Sequence, residues 1–230
     1  MMLDLPAILK KYNLSIKGVI HVGAHEGGET QYYVKSKIHD VILIEANPSR
    51  FQNLQESIRI GRYCTWCTPL QYAFFSEEEK KILHNYETYN YAITDKDDSN
   101  IYLHTTNFDG GADSIFQINS HGSSTSWCGY KNISSVKVKT MTLDSLIQNK
   151  ERFNFLNIDV EGAEALVLKG SKQLLSNHIE FIMLEYQDEP RFDGSCVHSE
   201  IQEFLNGYNF KCVEIFDTGK KWGDAFYVKH

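Results

Sequence analysis

The sequence predicts an α/β fold: a mostly parallel sheet with helices on both faces and an antiparallel hairpin at its C-terminal end. Three observations predict it. The runs Gly18 to Val22, Val41 to Ile44, Phe155 to Ile158 and Phe181 to Leu184 are short and almost wholly apolar, as strands buried on both faces are. Segments of helical spacing separate them, which implies crossover connections and parallel pairing. Lys211 to Phe216, a turn at Thr218-Gly219 and Ala225 to Val228 read as strands joined too tightly for a crossover. The 230 residues suit a single domain spanning 1–230.

Within residues 1–16, Asp4 to Tyr12 reads as a helix, with Leu5, Ile8 and Leu9 on one face and Pro6 in its first turn. A helix over Glu29 to Lys37 follows the first strand. Ser49 to Ile60 carries helical spacing at Phe51, Leu54 and Ile58 after the second. Ser76-Glu77-Glu78-Glu79 has the form of a capped helix start. Two runs compete for the third core strand, Leu70 to Ser76 and Thr88 to Ile93. Asn100 to His104 is extended, and residues 105–132, rich in Gly, Ser, Asn and Asp, form a long polar loop expected to cover an acceptor site. Val136 to Thr140 alternates like a strand with one wet face, Thr142 to Leu146 starts a short helix, and Ala163 to Leu168 and His198 to Leu205 are helical.

Composition narrows the function. A net charge of −7 with no basic stripe argues against nucleic acid as a partner. The first residues lack a basic leader followed by an apolar run, and no stretch approaches the ~18 apolar residues of a membrane span, so a cytoplasmic protein without a membrane partner is expected. Five cysteines form no disulfide framework, and Cys64-Thr65-Trp66-Cys67 has no second CxxC to complete a four-thiolate site. The 13 Tyr and 13 Phe are a large supply of flat faces for a sugar, though most pack in cores.

The chemistry is concentrated in three places. Val19-Ile20-His21-Val22-Gly23-Ala24-His25-Glu26-Gly27-Gly28-Glu29-Thr30 runs a buried strand through a glycine turn into a helix, where a ligand can approach the backbone. The turn departs from GxGxxG, which disfavours NAD, and lacks the lysine of a phosphate loop. Glu45 closes the next strand, where a carboxylate can accept from both hydroxyls of a ribose. In Asn157-Ile158-Asp159-Val160-Glu161-Gly162-Ala163-Glu164, Asp159 ends an apolar strand, and Glu185 repeats that arrangement after Phe181 to Leu184. Two carboxylates at neighbouring strand ends suit either Mg²⁺ with oxygen ligands or the orientation of substrate and base.

Taken in order, VIHVGAHEGGET, VILIEANPSRFQNL, VKTMTLDSLI, NFLNIDVEGAEALVLKGS and IEFIMLEY resemble the FkbM-type methyltransferase family from about Gly18 to Tyr186. The resemblance implies a Rossmann-like class I methyltransferase fold with a seven-stranded sheet. It also implies transfer of a methyl group from S-adenosylmethionine to a hydroxyl of a sugar, a polysaccharide or a polyketide-like molecule. Carried over by position, Gly23, Ala24 and Gly27 surround the methionine part, Glu45 holds the ribose, and Asn90, Tyr91 and Ala92 approach the adenine. Asp159 and Glu161 face the methyl donor. His21, His25, Glu26 and Thr30 in the turn, and Ala46 and Asn47 beside Glu45, complete the cofactor set. His21 stands where the family commonly has an acidic residue. The family spacing of Ala112-Asp113-Ser114-Ile115-Phe116 favours Thr88 to Ile93 as the third strand.

A sugar hydroxyl is a poor nucleophile until its proton leaves, so a base or a metal is expected near it. Asp159, Glu185 and His121 are the catalytic candidates, with His25 a further histidine in reach of the turn. Asp159 and Glu185 are the candidate Mg²⁺ ligands. Other readings are a nucleoside-binding accessory protein without catalysis, or another nucleotide-handling α/β enzyme.

Overall fold

A computed structural model describes residues 4–65, 71–108, 110–125 and 129–230. In chain order its elements are α1 (Leu5–Tyr12), β1 (Gly18–Val22), α2 (Thr30–Lys35), β2 (Asp40–Ile44), α3 (Pro48–Ile60), β3 (Arg62–Thr65), β4 (Gln71–Phe74), α4 (Glu77–Leu83), β5 (Tyr86–Tyr89), β6 (Ala92–Ile93) and β7 (Asn100–Thr106). Then come α5 (Ser120–Thr125), β8 (Asn132–Met141), α6 (Leu143–Leu146), β9 (Phe155–Ile158), α7 (Glu164–Lys169), α8 (Lys172–Asn177), β10 (Phe181–Gln187), α9 (His198–Asn206), β11 (Phe210–Asp217) and β12 (Trp222–Lys229).

The main sheet has the order β11-β12-β10-β9-β1-β2-β5. β10, β9, β1, β2 and β5 are parallel, and β12 runs antiparallel between β10 and β11. The seven strands and the C-terminal hairpin agree with the sequence reading. Alternate residues of each strand feed opposite faces. Ile20, Val22, Ile42, Ile44, Ile158 and Leu184 join one core, while Val19, Val41, Leu43, Phe155 and Met183 join the other.

Local chemistry sets the helix ends. Asp4 accepts from Ala7 N (3.1 Å) at the start of α1. Asn47 Oδ1 accepts from Ser49 N (2.9 Å), with Pro48 at the first position of α3, and Ser76 and Glu79 form a reciprocal capping box on α4.

Four readings need correction. Thr88 to Ile93 is not one strand. β5 ends at Tyr89, and Asn90 Nδ2 then donates to the carbonyls of Glu45 (2.7 Å) and Ala46 (3.1 Å), peeling the chain away. Beyond it β6 joins a separate three-stranded sheet, β6-β8-β7, so only the first half of that run belongs to the main sheet. In the competing run Gln71–Phe74 is β4, which pairs with β3 in a hairpin outside the main sheet, and Leu70 lies outside the described residues. β10 continues to Gln187 because β12 pairs with it throughout, so Glu185 lies inside a strand. The polar loop carries the short helix α5, and α8 adds a helix the sequence reading lacked. Cys67 and part of the 105–132 loop lie outside the described residues. No helix among those described is long and apolar enough to cross a membrane.

Candidate functional site

The register of the sheet builds the site. Val22 pairs with Ile44 on one side and Ile158 on the other, Ile158 pairs with Leu184, and Ile44 pairs with Tyr89. The next residue of each strand therefore emerges along one edge: Glu185, Asp159, Gly23, Glu45 and Asn90. Asp224 of β12 pairs with Glu185 and extends the row. In an open α/β sheet this carboxyl edge is where ligands bind.

Gly23 is the pivot of the row. Its φ is +88°, and a Cβ there would stand 1.7 Å from the carbonyl oxygen of Asp159, so no side chain fits. The amides of Gly23 and Ala24 both donate to Ile44 O (2.9 and 3.0 Å). His25 N donates to Glu45 Oε2 (2.8 Å) and Asn47 N to Glu45 Oε1 (2.7 Å). Glu45 is thus buried with one backbone donor on each oxygen, and each oxygen keeps a second lone pair. Burial raises its carboxyl above the ordinary range, partly offset by those amides.

In front of this edge lies an open cleft. Its walls include Gly23, His25, Glu45, Ala46, Tyr91, Ala92, Asp159 and Glu161 from the predicted set, together with Ile93, Leu103 and Ile115. Glu29 and Asp113 also line it, and sequence reasoning assigned neither a role. Asp113 accepts from Asn47 Nδ2 (2.7 Å) and Thr106 N (2.9 Å), which ties the polar loop to the mouth of the cleft.

Other predicted residues stand behind the wall. His21 is buried, its Nδ1 3.3 Å from the Tyr33 hydroxyl, which accepts from Asn157 Nδ2 (2.9 Å); burial lowers its pKa to about 4. Glu26 faces away and accepts from Arg50 Nη1 (2.7 Å), Asn53 Nδ2 (2.7 Å) and the Tyr72 hydroxyl. Burial alone would raise its pKa, but these donors hold it below the usual carboxylate range. Ala24, Gly27 and Thr30 shape the turn, with Thr30 Oγ1 donating to Gly27 O (2.5 Å). Asn47 and Asn90 support Glu45 from outside the cleft. His121 sits on α5 with Nε2 3.4 Å from Glu189, and the structure does not bring it to the cleft.

Next to Asp159 the acidic residues converge. Asp159, Glu161 and Glu185 offer oxygens that all lie within 4.8 Å of one another. The tight turn has Glu161 at φ 52° and Gly162 at φ 97°, and Glu164 Oε1 braces it by accepting from Val160 N (3.3 Å) and Gly162 N (3.1 Å). Burial pushes Asp159 up to about 6, Glu164 to about 7, Glu161 to about 8, and Glu185 well above its ordinary value. Arg191, 2% exposed, supplies the countercharge. Its Nη1 is 3.5 Å from Glu185 and 3.9 Å from Glu161, and its guanidinium lies 4.7 Å from the Trp222 ring centre. The oxygen set matches Mg²⁺ in donor type. A divalent ion there would stand against the guanidinium, so the cluster fits a resident arginine better than a metal.

This crowding has a pH consequence. Each raised carboxyl stabilises the fold below its unfolded pKa and loses that contribution as pH rises through its folded value. The ligand-free protein is expected to melt of the order of 5 °C lower at pH 8.5 than at pH 5.5 by calorimetry. A Glu185→Gln variant should flatten the slope, and a melting temperature that rises over this range would contradict the raised values.

Comparison with known proteins bears on this geometry. The family described as methyltransferase FkbM domain matches residues 21–212. No curated protein sequence matches the chain. Among solved structures, methyltransferase FkbM from Methylobacillus flagellatus KT superposes with a TM-score of 0.59 at 14% identity, over 92% of this chain and 43% of that one. The chain thus spans less than half of that protein. The methyltransferase domain of bacterial CtHen1-CN superposes with a TM-score of 0.50 at 11% identity, over 97% and 95% of the two chains. At these identities the likeness is one of fold.

Proposed function

The chain belongs to the FkbM methyltransferase family, and from that membership we propose that it is an S-adenosylmethionine-dependent O-methyltransferase acting on a hydroxyl of a sugar or glycan. One observation carries the reading. Glu45, with both oxygens set by backbone amides, and Asp159 emerge on one sheet edge, on either side of the glycine that lets a ligand lie against the backbone.

The residues present fit the cofactor. Glu45 accepts from the two ribose hydroxyls. Ile93, Leu103 and Ile115 give an apolar slot for the adenine, beside Tyr91 and Ala92. At the other end Glu29, 3% exposed on the cleft wall, takes the α-ammonium that an acidic residue in place of His21 would have taken. When bound, the cofactor supplies an electrophilic methyl carbon on its sulfonium. Asp159 accepts the proton of the acceptor hydroxyl, and Glu161 and Glu185, held by Arg191, keep it oriented. The net charge of −7 and the wealth of aromatic residues favour a neutral polyhydroxylated acceptor over a nucleic acid.

Calorimetric titration with S-adenosylhomocysteine tests the reading. Micromolar binding is expected, and its absence from well-folded protein would sink the assignment. Glu29→Gln should weaken S-adenosylhomocysteine roughly tenfold by removing a charge-assisted hydrogen bond. The same variant should bind methylthioadenosine, which lacks the amino-acid end, as the wild type does. Equal weakening of both ligands would show that Glu29 only supports the fold.

A further inference from the structure

Three polar side chains lie in the apolar layer between the main sheet and α2. His21 on β1 and Asn157 on β9 are direct partners in the register, and both point to the face that Val19 and Phe155 share. Tyr33 of α2 meets them there, and all three are at most 3% exposed. Burying polar groups in such a layer is unfavourable unless each finds a partner. Here the partners stand in series. Asn157 Nδ2 donates to the Tyr33 hydroxyl (2.9 Å), whose oxygen lies 3.3 Å from His21 Nδ1.

The series decides where the hydrogens sit. The Tyr33 hydroxyl has no other acceptor among the described residues, so its hydrogen goes to His21 Nδ1. Burial lowers the pKa of His21 to about 4 against the opposing pull of Glu29, and the ring is neutral near pH 7. A neutral imidazole that accepts at Nδ1 carries its own hydrogen on Nε2, which makes the far side of the ring a donor.

Glu29 stands four residues before Tyr33 at the N-cap of α2, on the same side of that helix. Its side chain makes no capping bond to its own helix, and its charge acts on the His21 ring. We infer that His21 is a positioning residue: its Nε2–H donates to the Glu29 carboxylate and holds it at the cleft wall, while Tyr33 and Asn157 fix the ring from behind. The binding of an α-ammonium by Glu29 rests on the methyltransferase reading, but the His21–Glu29 pair does not. A neutral donor suits this task. A lysine or arginine could orient the carboxylate as well, yet it would cancel the charge that an ammonium ligand needs.

Two substitutions separate the ends of the ring. A glutamine amide reaches the place of Nε2 and replaces the donor toward Glu29. An asparagine amide reaches only the place of Nδ1 and replaces the partner of Tyr33. His21→Gln is expected to bind S-adenosylhomocysteine within about twofold of wild type, and His21→Asn roughly fivefold more weakly. Both should bind methylthioadenosine as the wild type does. A histidine that only paired with Tyr33 would give the opposite order, and that order would overturn the proposal. So would equal weakening of both ligands by His21→Asn. Nitrogen-15 NMR of the wild-type imidazoles reads the tautomer directly, with hydrogen on Nε2 expected and a resonance that shifts in Glu29→Gln. Hydrogen on Nδ1, or a resonance indifferent to Glu29→Gln, would also overturn it. If that shift is seen in protein that binds no S-adenosylhomocysteine, the His21–Glu29 pair stands and the methyltransferase reading falls.

Discussion

Asp159→Asn is expected to lower kcat about a thousandfold, within the range for loss of a general base, and to leave S-adenosylhomocysteine binding close to wild type. The substitution keeps size and shape, and the backbone carbonyl of Asp159 still packs on Gly23. What it removes is the proton acceptor. The wild-type pH profile carries the same signature. Burial raises Asp159 to about 6, and only the ionised form accepts a proton, so kcat should climb with pH through about 6 and then level off. Initial rates with a labelled methyl donor across pH 5 to 8 measure both effects. A variant with near-normal kcat would mean that the hydroxyl proton leaves by another route.

Glu45→Gln is expected to weaken S-adenosylhomocysteine about a hundredfold, the loss of two hydrogen bonds to a charged acceptor. The amide cannot copy the carboxylate. His25 N and Asn47 N both point at this side chain, so whichever way the amide turns, its NH₂ faces a backbone donor. The variant should also melt several degrees lower, since a buried N–H loses its partner. Titration well below both melting points separates the two effects. Undiminished affinity would remove Glu45 from the ribose.

How much of this was legible in the sequence differs by element. β1, β2, β9 and β10 were visible because strands buried on both faces have to be apolar throughout. Gly23, Glu45 and Asp159 were visible because each interrupts such a run at its end. Glu185 was visible for the same reason, yet its neighbour β12 keeps it inside the ladder, which local pattern cannot reveal. Glu29 read as a first-turn helix residue, and only the fold of the turn brings it to the cleft wall. Arg191 comes from a loop with no periodic pattern and meets Glu161 and Glu185 through tertiary packing alone. Glu26 and His21 were drawn to the cofactor by their place in a motif. Their partners lie outside that motif, Arg50 in the stretch that carries Glu45, and Tyr72 and Tyr33 in neither.

The position of β12 has a consequence for how the protein comes into being. Of the seven strands of the main sheet, the last in chain order is an interior one, bonded to β10 on one side and β11 on the other, with Phe226 fully buried. A growing chain folds from its N-terminus as it emerges, so β10 waits with an unpaired edge and β11 has nothing to pair with. Glu185 meets Asp224 only when that last strand docks. Polypeptides that stop short of Trp222 therefore carry an open apolar sheet edge and an incomplete row of carboxylates. Copies truncated there are expected to aggregate through that bare edge.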